Sequence, residues 1–297
     1  MTEKIAFRKL AESIAANQGQ VQMLPVIEKE LLHYEILSAL SEKSYLKNLV
    51  FQGGTALRLC YGASRMSEDL DFAGGDSFDA NMLHGMKEAV EAAITRRYDV
   101  DVRVKEPKRQ AIDQRDTRLQ KVTVERWQIR VVTMRKRPDI PQQLIKLEIA
   151  TIPTYERIIR PLLVNYPELP EGYGNVLLPV ESLKEILADK LVSLAVAQNI
   201  RYRDFWDLRW ISTNPAQPSQ NYKELVLRKV SDYGITDYAK QVEQMVERLE
   251  HNIESREFLA QMRRFIPTEI LAQTMERPAF RTYLVEHIKE LYRPFMR

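Results

Sequence analysis

Two short clusters of residues have the types and spacing to do chemistry together. In Ser67-Glu68-Asp69-Leu70-Asp71-Phe72 the aspartates lie two apart, each followed by an apolar residue. On a strand that spacing puts both carboxylates on one face, with Leu70 and Phe72 on the other. Carboxylates this close repel unless a cation neutralises them, and Mg²⁺, which shares oxygen ligands with substrate phosphates, suits the pair. Upstream, Gly53-Gly54-Thr55 follows the apolar Leu49-Val50-Phe51 and precedes Ala56-Leu57-Arg58-Leu59, as where a strand hands over to a helix. Glycines there let the first backbone N–H groups of the helix face an anion, and Thr55 adds a hydroxyl. A phosphate site beside a cation site implies metal-assisted phosphoryl chemistry.

These residues need a strand, turn, helix and second strand between Phe51 and Gly75. Before them, residues up to Lys47 carry apolar positions at helical spacing (Ile5, Leu10, Ile14; Val26, Ile27, Leu31, Ile36, Leu37, Leu40). His33 falls within this pattern and reads as a packing residue, because no second histidine or cysteine stands at metal-ligand spacing. After Gly74-Gly75-Asp76, a helical pattern over 78–97 leads to strand patterns over 100–104, 122–134 and 144–149, a strand–helix–strand crossover in a mixed sheet. Glu148 stands alone among apolar neighbours in the last strand, and from the residues alone it reads as a strand-edge carboxylate paired with an arginine. Pro161, Pro167, Pro170, Gly172 and Gly174 place a boundary between Pro153 and Pro179. The expected division is residues 1–165 for N-terminal helices plus the sheet domain and 166–297 for a helical domain. Ser182 can cap the first helix of that second domain, with Leu183, Ile186, Leu187, Leu191 and Leu194 as its apolar stripe and Lys190 beside it. Asp204 and Asp207, three apart, share a helix face, and the ordinary role for Asp204 is a salt bridge to Arg201 or Arg209. Four or so further helices follow, with turns near Gly234, Pro267 and Pro278.

The 297 residues carry a net charge of only +3, so affinity for a polyanion must come from local clustering. Between Arg103 and Arg137 twelve Lys/Arg stand against four Asp/Glu, a net +8. Trp127 lies in this window, either stacked on a base or in the core of a hairpin whose charged face is solvated. Arg263, Arg264, Arg277, Arg281, Arg293 and Arg297 make the tail basic again, with Phe280, Tyr283 and Tyr292 among them; it reads as an RNA cradle or as a solvated helical face. The single cysteine, Cys60, excludes an intramolecular disulfide and multi-cysteine metal sites. No apolar run suits a signal peptide or a membrane span, which makes a cytoplasmic location the expectation.

The runs Gly53-Gly54-Thr55-Ala56-Leu57, Arg65–Phe72, Ala188-Asp189-Lys190-Leu191 and Tyr202–Leu208 together resemble the AbiEii/AbiGii family of nucleotidyltransferase toxins, within the DNA polymerase β-like superfamily. The resemblance implies an α+β fold, a polymerase β-like nucleotidyltransferase domain followed by a helical bundle, with the active site in the cleft between them. It implies transfer of a nucleoside monophosphate from an NTP, with Mg²⁺ (or Mn²⁺) held by Asp69, Asp71 and Glu148. Gly53, Gly54, Thr55, Arg65, Ser67 and Lys190 would bind the triphosphate, and Asp69, Asp71, Lys190 and Asp204, or Asp207 in its place, would be catalytic. Members of the family act in toxin–antitoxin or phage-defence systems. Some modify the 3′ end of tRNA and block translation. The implied partners are therefore an RNA such as tRNA, an NTP and a cognate antitoxin, which in this family often carries a winged-helix DNA-binding domain. Rival readings are a protein or small-molecule acceptor, or a nucleotide-binding scaffold without turnover.

Overall fold

The computed structural model describes residues 4–107, 122–135, 137, 139–215 and 221–296. They form two compact units. Among the described residues the first comprises 4–107 and 123–180, and the second comprises Val122 and the residues from Glu181 onward.

In the first unit, α1 (Phe7–Asn17) and α2 (Leu24–Glu42) pack together before the chain reaches the sheet. Helix α2 is buried nearly all round, with Ile27, Leu31, Leu32, Tyr34, Ile36, Leu37 and Leu40 in the core, as expected of a central helix. Its buried carboxylates have partners: Glu28 meets Arg8 at 3.0 Å, Glu30 meets Arg58 at 3.0 Å, and Glu35 accepts from Tyr173 and pairs with Arg97. His33 Nε2 donates to the Glu68 carbonyl at 3.0 Å. Burial lowers the His33 pKa to about 4, so the ring is neutral and packs, as its place in the amphipathic pattern suggests.

The strands that follow are β1 (Val50–Gln52), β2 (Leu70–Ala73), β3 (Asp101–Lys105), β4 (Val124–Val132), β5 (Gln143–Ala150), β6 (Arg157–Pro161) and β7 (Leu177–Glu181). They make one mixed sheet in the order β3-β4-β5-β2-β1-β7-β6. Helix α3 (Gly53–Tyr61) joins β1 to its antiparallel neighbour β2, while α4 (Met86–Arg97) carries the chain from β2 across to β3. Strict alternation in the central strands gives the sheet two unlike faces. Phe72, Leu70, Leu147, Ile149, Ile145, Trp127, Ile129 and Val104 are buried on one, and polar residues occupy the other. Trp127 is 2% exposed, which removes it as a stacking platform and leaves it in the core.

Strands β6 and β7 fall inside the stretch whose prolines and glycines signal a boundary. Pro167, Pro170, Gly172 and Gly174 occupy the connection between the two strands, and Pro161 ends β6 at the sheet edge, where a missing N–H costs no ladder bond. The turn formers mark a loop between the edge strand β6 and its neighbour β7.

The second unit is helical: α5 (Leu183–Val196), α6 (Tyr202–Ser212), α7 (Lys223–Asp232), α8 (Tyr238–Glu254), α9 (Arg256–Arg263), α10 (Thr268–Gln273) and α11 (Pro278–Tyr292). Ser182 caps α5, accepting from the Glu185 N–H at 3.1 Å. The α5 stripe packs against α6, α7 and α8, and the Tyr238 and Tyr292 hydroxyls both donate to the Leu191 carbonyl, at 3.1 and 2.8 Å. No helix among the described residues is long and apolar enough to cross a membrane.

Candidate active site

The handover from β1 to α3 is built on Gly53. Its φ of +77° lies in the left-handed region, and a Cβ there would stand 2.8 Å from Asp71 Oδ2. Gly54 is restricted from the other side, where a Cβ would run into the Arg65 guanidinium and come within 3.0 Å of Ser67 Oγ. Both glycines therefore stand where backbone must approach functional side chains. Gln52, at the N-cap of α3, makes no side-chain capping bond, unlike Ser182 on α5. The first N–H groups of α3 thus carry the partial positive charge of an uncapped helix terminus, directed at the space beside Arg65, Ser67 and Asp71. Arg65 is buried, and its Nη1 donates to the Met66 carbonyl at 2.7 Å, which fixes the guanidinium against the glycines. The buried Thr55 hydroxyl donates to the Asp69 carbonyl, tying α3 to the start of β2.

On the polar face of the sheet, Gln52, Asp71, Glu148 and Arg126 stand in register on β1, β2, β5 and β4. Asp69 belongs to the same face: its carboxylate accepts from the Lys146 N–H at 3.4 Å, and the Lys146 ammonium lies 3.9 Å away. Glu148, beside Asp71 on the neighbouring strand, pairs with Arg126 at 2.6 Å. Three carboxylates are thus gathered at one end of the sheet, a donor set that fits a hard divalent cation. They are not drawn into a closed cage, since Glu148 leans to Arg126 and Asp69 to Lys146. Among the described residues, the group of three carboxylates whose oxygens all lie within 4.8 Å of one another is instead Glu181, Glu185 and Asp189.

That trio belongs to the second unit. It surrounds Lys229 Nζ at 3.5, 2.7 and 3.0 Å, and the Tyr233 hydroxyl donates to Asp189 at 3.2 Å. Burial pushes the Glu181 and Asp189 carboxyls above their usual range. The Lys229 ammonium already fills the centre, so the trio is a sealed ion cluster. No motif in the sequence points to it: Glu185 and Asp189, four apart, share a face of α5, while Glu181 comes from the end of β7.

Lys190, on the same helix, is held differently. Its ammonium lies 2.7 Å from Asp204 and 2.8 Å from Asp207, and Asp204 also meets Arg201 at 2.7 Å. Both aspartates of the Tyr202–Leu208 run therefore orient the lysine. Around the basic window, Arg135 pairs with Asp99 and Asp101, and Arg137 pairs with Asp139. Lys108, Arg109, Arg115, Arg118, Lys121 and Lys136 lie outside the described residues, as does Arg297. In the tail, Arg263 pairs with Glu276, Arg281 with Glu254 and Arg293 with Glu290, while Tyr292 is buried. Cys60 is buried, with its thiol pKa pushed up to about 12, which makes it inert.

Comparison with solved structures gives MenT4, a nucleotidyltransferase toxin from Mycobacterium tuberculosis H37Rv, at a TM-score of 0.56 and 19% identity, covering 94% of this chain and 87% of that one. The likeness shows a shared fold. JHP933 from Helicobacter pylori matches at a TM-score of 0.47 and 20% identity, covering 91% of this chain and 95% of that one. No curated protein sequence matches significantly. The family model described as nucleotidyl transferase AbiEii toxin, type IV toxin–antitoxin system, matches residues 35–286, which hold both the glycine–aspartate site and the Lys190 cluster. The chain belongs to the AbiEii family of nucleotidyl transferase toxins.

Proposed function

We propose that this chain transfers a nucleoside monophosphate from an NTP to the 3′ end of an RNA, a tRNA in the first instance, and so blocks translation until a cognate antitoxin, of winged-helix type, relieves it. The same activity would serve phage defence. The observation that carries the reading is the adjacency of Asp71 to Gly53 and of Arg65 and Ser67 to Gly54, at one helix start. It supports a triphosphate lying against the α3 N-terminus with its reacting phosphorus near the carboxylates.

Asp69 and Asp71, with Glu148 as third ligand, would hold Mg²⁺ or Mn²⁺. The bound cation supplies charge neutralisation at the α-phosphate and lowers the pKa of the attacking hydroxyl. The chain's own residues do the remaining work. The α3 N–H groups and the Ser67 hydroxyl donate to the β- and γ-phosphate oxygens, and Arg65 adds fixed positive charge. Gly53 keeps the backbone close to Asp71, and Thr55 braces β2 against α3. The acceptor oxygen forms a bond to the α-phosphorus as the bond to the bridging oxygen breaks, releasing pyrophosphate. Lys190, oriented by Asp204 and Asp207, is assigned to the charge that develops on that leaving group.

The test is incubation of the protein with Mg²⁺, each α-labelled NTP in turn and total cellular RNA, beside Asp69→Ala and Asp71→Asn. Label should enter a tRNA-sized band with the parent protein only, the variants losing at least about a thousandfold, more than one oxyanion-hole donor is worth. Labelling of a protein or small molecule instead of RNA would overturn the RNA acceptor.

A further inference from the structure

The polar face of the sheet continues past the carboxylates, and its character changes. Beyond Glu148 and Arg126 on β5 and β4, the same face carries Lys146, then Gln128 and Arg130 on β4, then Lys105 and Arg103 on β3. Arg103 and Arg130 stand directly opposite each other in the antiparallel β3–β4 ladder, and Lys105 stands opposite Gln128. Arg103, Lys105 and Arg130 are exposed. Like charges directly opposed across strands are destabilising. The tail arginines Arg263, Arg281 and Arg293 each have a carboxylate within 3.3 Å, whereas no salt bridge among the described residues joins Arg103, Lys105 or Arg130 to one. A solvated charged face of the ordinary kind intersperses both signs. Here Asp101, on the same face of β3, is drawn to Arg135 at 2.8 Å, which leaves Arg103, Lys105 and Arg130 as an excess of one sign.

Its position relative to Asp71 matters as much as its charge. In the sheet order β3-β4-β5-β2-β1, the glycine turn lies on the β1 side of Asp71 and the cationic patch on the opposite side. With strands about 4.8 Å apart, the three steps from β2 to β3 span roughly 14 Å. A triphosphate at α3 would therefore leave the β5–β4–β3 side of Asp71 for the other reactant. We infer that Arg103, Lys105 and Arg130 form a phosphate track that holds the backbone of the acceptor RNA and brings its 3′-terminal nucleotides across β4 and β5 to Asp71. This rests on the proposed RNA acceptor and adds where that acceptor lies. With Trp127 buried, the track offers charge without an aromatic from β4, so it grips phosphate and reads no base.

The experiment uses the full-length triple variant Arg103→Gln/Lys105→Gln/Arg130→Gln and fluorescently labelled deacylated tRNA, titrated at several salt concentrations. Losing three phosphate contacts should make the slope of log K against log salt shallower by about 2. The KM for RNA in the transfer assay should rise on the order of tens of fold near physiological salt, with the KM for NTP unchanged. A charge-matched variant, Arg263→Gln/Lys289→Gln/Arg293→Gln, should leave both unaltered; an equal loss there would reduce the effect to net charge and overturn the track. An unchanged slope in the sheet variant, or a rise confined to the KM for NTP, would also overturn it. Arg130→Gln alone relieves the like-charge pair, so it should weaken tRNA binding while keeping or raising the melting temperature. Weaker binding accompanied by loss of fold would count against the track. Failure of the parent protein to bind tRNA at any salt would bring down the RNA acceptor itself, and the track with it.

Discussion

Helix α5 contributes to two lysine–carboxylate clusters that look alike in a list of contacts and differ in every physical respect that bears on function. Lys229 is completely buried among Glu181, Glu185 and Asp189, and three carboxylates around one ammonium leave an excess of negative charge that proton uptake must offset. Glu181 and Asp189 are pushed up by burial, and although burial alone would lower the Lys229 pKa, Asp189 and Glu181 raise it. Lys190 has two aspartates, with Arg201 beside one of them, and its side chain keeps 9% of its exposure. In the first cluster the ammonium is fully enclosed, and what exposure remains belongs to Asp189. The second presents a cation already oriented and not wholly withdrawn from solvent. The difference lies in the cation: Lys229 is wholly enclosed, and Lys190 keeps a residual opening.

The most damaging test of that contrast is Lys229→Met. Removing the ammonium leaves buried carboxylates without their counter-charge, an arrangement that costs about 3–5 kcal/mol. Denaturant unfolding should show a loss of that size, and any loss of transfer activity should track the fraction unfolded. A Lys229→Met protein of parental stability with a low kcat would reverse the assignment of the two lysines.

Lys190→Gln should behave in the opposite way. Asp204 keeps Arg201 as a partner, so the stability loss should be smaller than for Lys229→Met. Transfer activity should fall by about 10²–10³ in kcat if the ammonium acts on charge that develops in the transition state. Steady-state kinetics on the folded variant decide this. Because both aspartates touch the ammonium, Asp204→Asn and Asp207→Asn should each lower kcat, with Lys190 misoriented rather than absent. If one aspartate variant retains parental kcat, the lysine needs only the other.

How much of this was legible in the sequence depends on whether a feature is local. The aspartate pair, the glycines and the Ser182 cap are written in spacings of a few residues, where strand period and helix termini leave few options. The pairing of Glu148 with both Asp71 and Arg126 was visible only as a lone carboxylate in an apolar run, because register between distant strands is not a local property. Trp127 shows the same limit: alternation assigns it a face, and only the packing of the sheet says which face is inside. Strands β6 and β7 were hidden because the turn formers between them dominate the local signal. Lys229 carries no motif at all. Two of its partners stand four residues apart on α5 and the third ends β7, but the lysine that answers them comes from α7.

The smallest expected effect lies in the first unit, at His33, and carries the contrast to a buried group that holds no charge. His33 Nε2 donates to the Glu68 carbonyl, with Glu30, Asp69 and Lys29 the charged groups that face it. Burial lowers its pKa from 6.5 to about 4. In that window the unfolded chain binds a proton that the folded one refuses, so this group costs stability as pH falls below 6.5 and costs nothing above it. At pH 5.5 the penalty is about 1.2 kcal/mol relative to pH 7, from a single unfolded-state proton. His33→Gln can keep the donor to the Glu68 carbonyl and removes the titration. The parent-minus-variant unfolding free energy, measured from pH 7.5 to 5, should therefore fall with acid and be flat above 7. A flat difference throughout would mean that His33 takes up its proton in the folded state, and a buried charge beside Asp69 would then have to be counted with the active site.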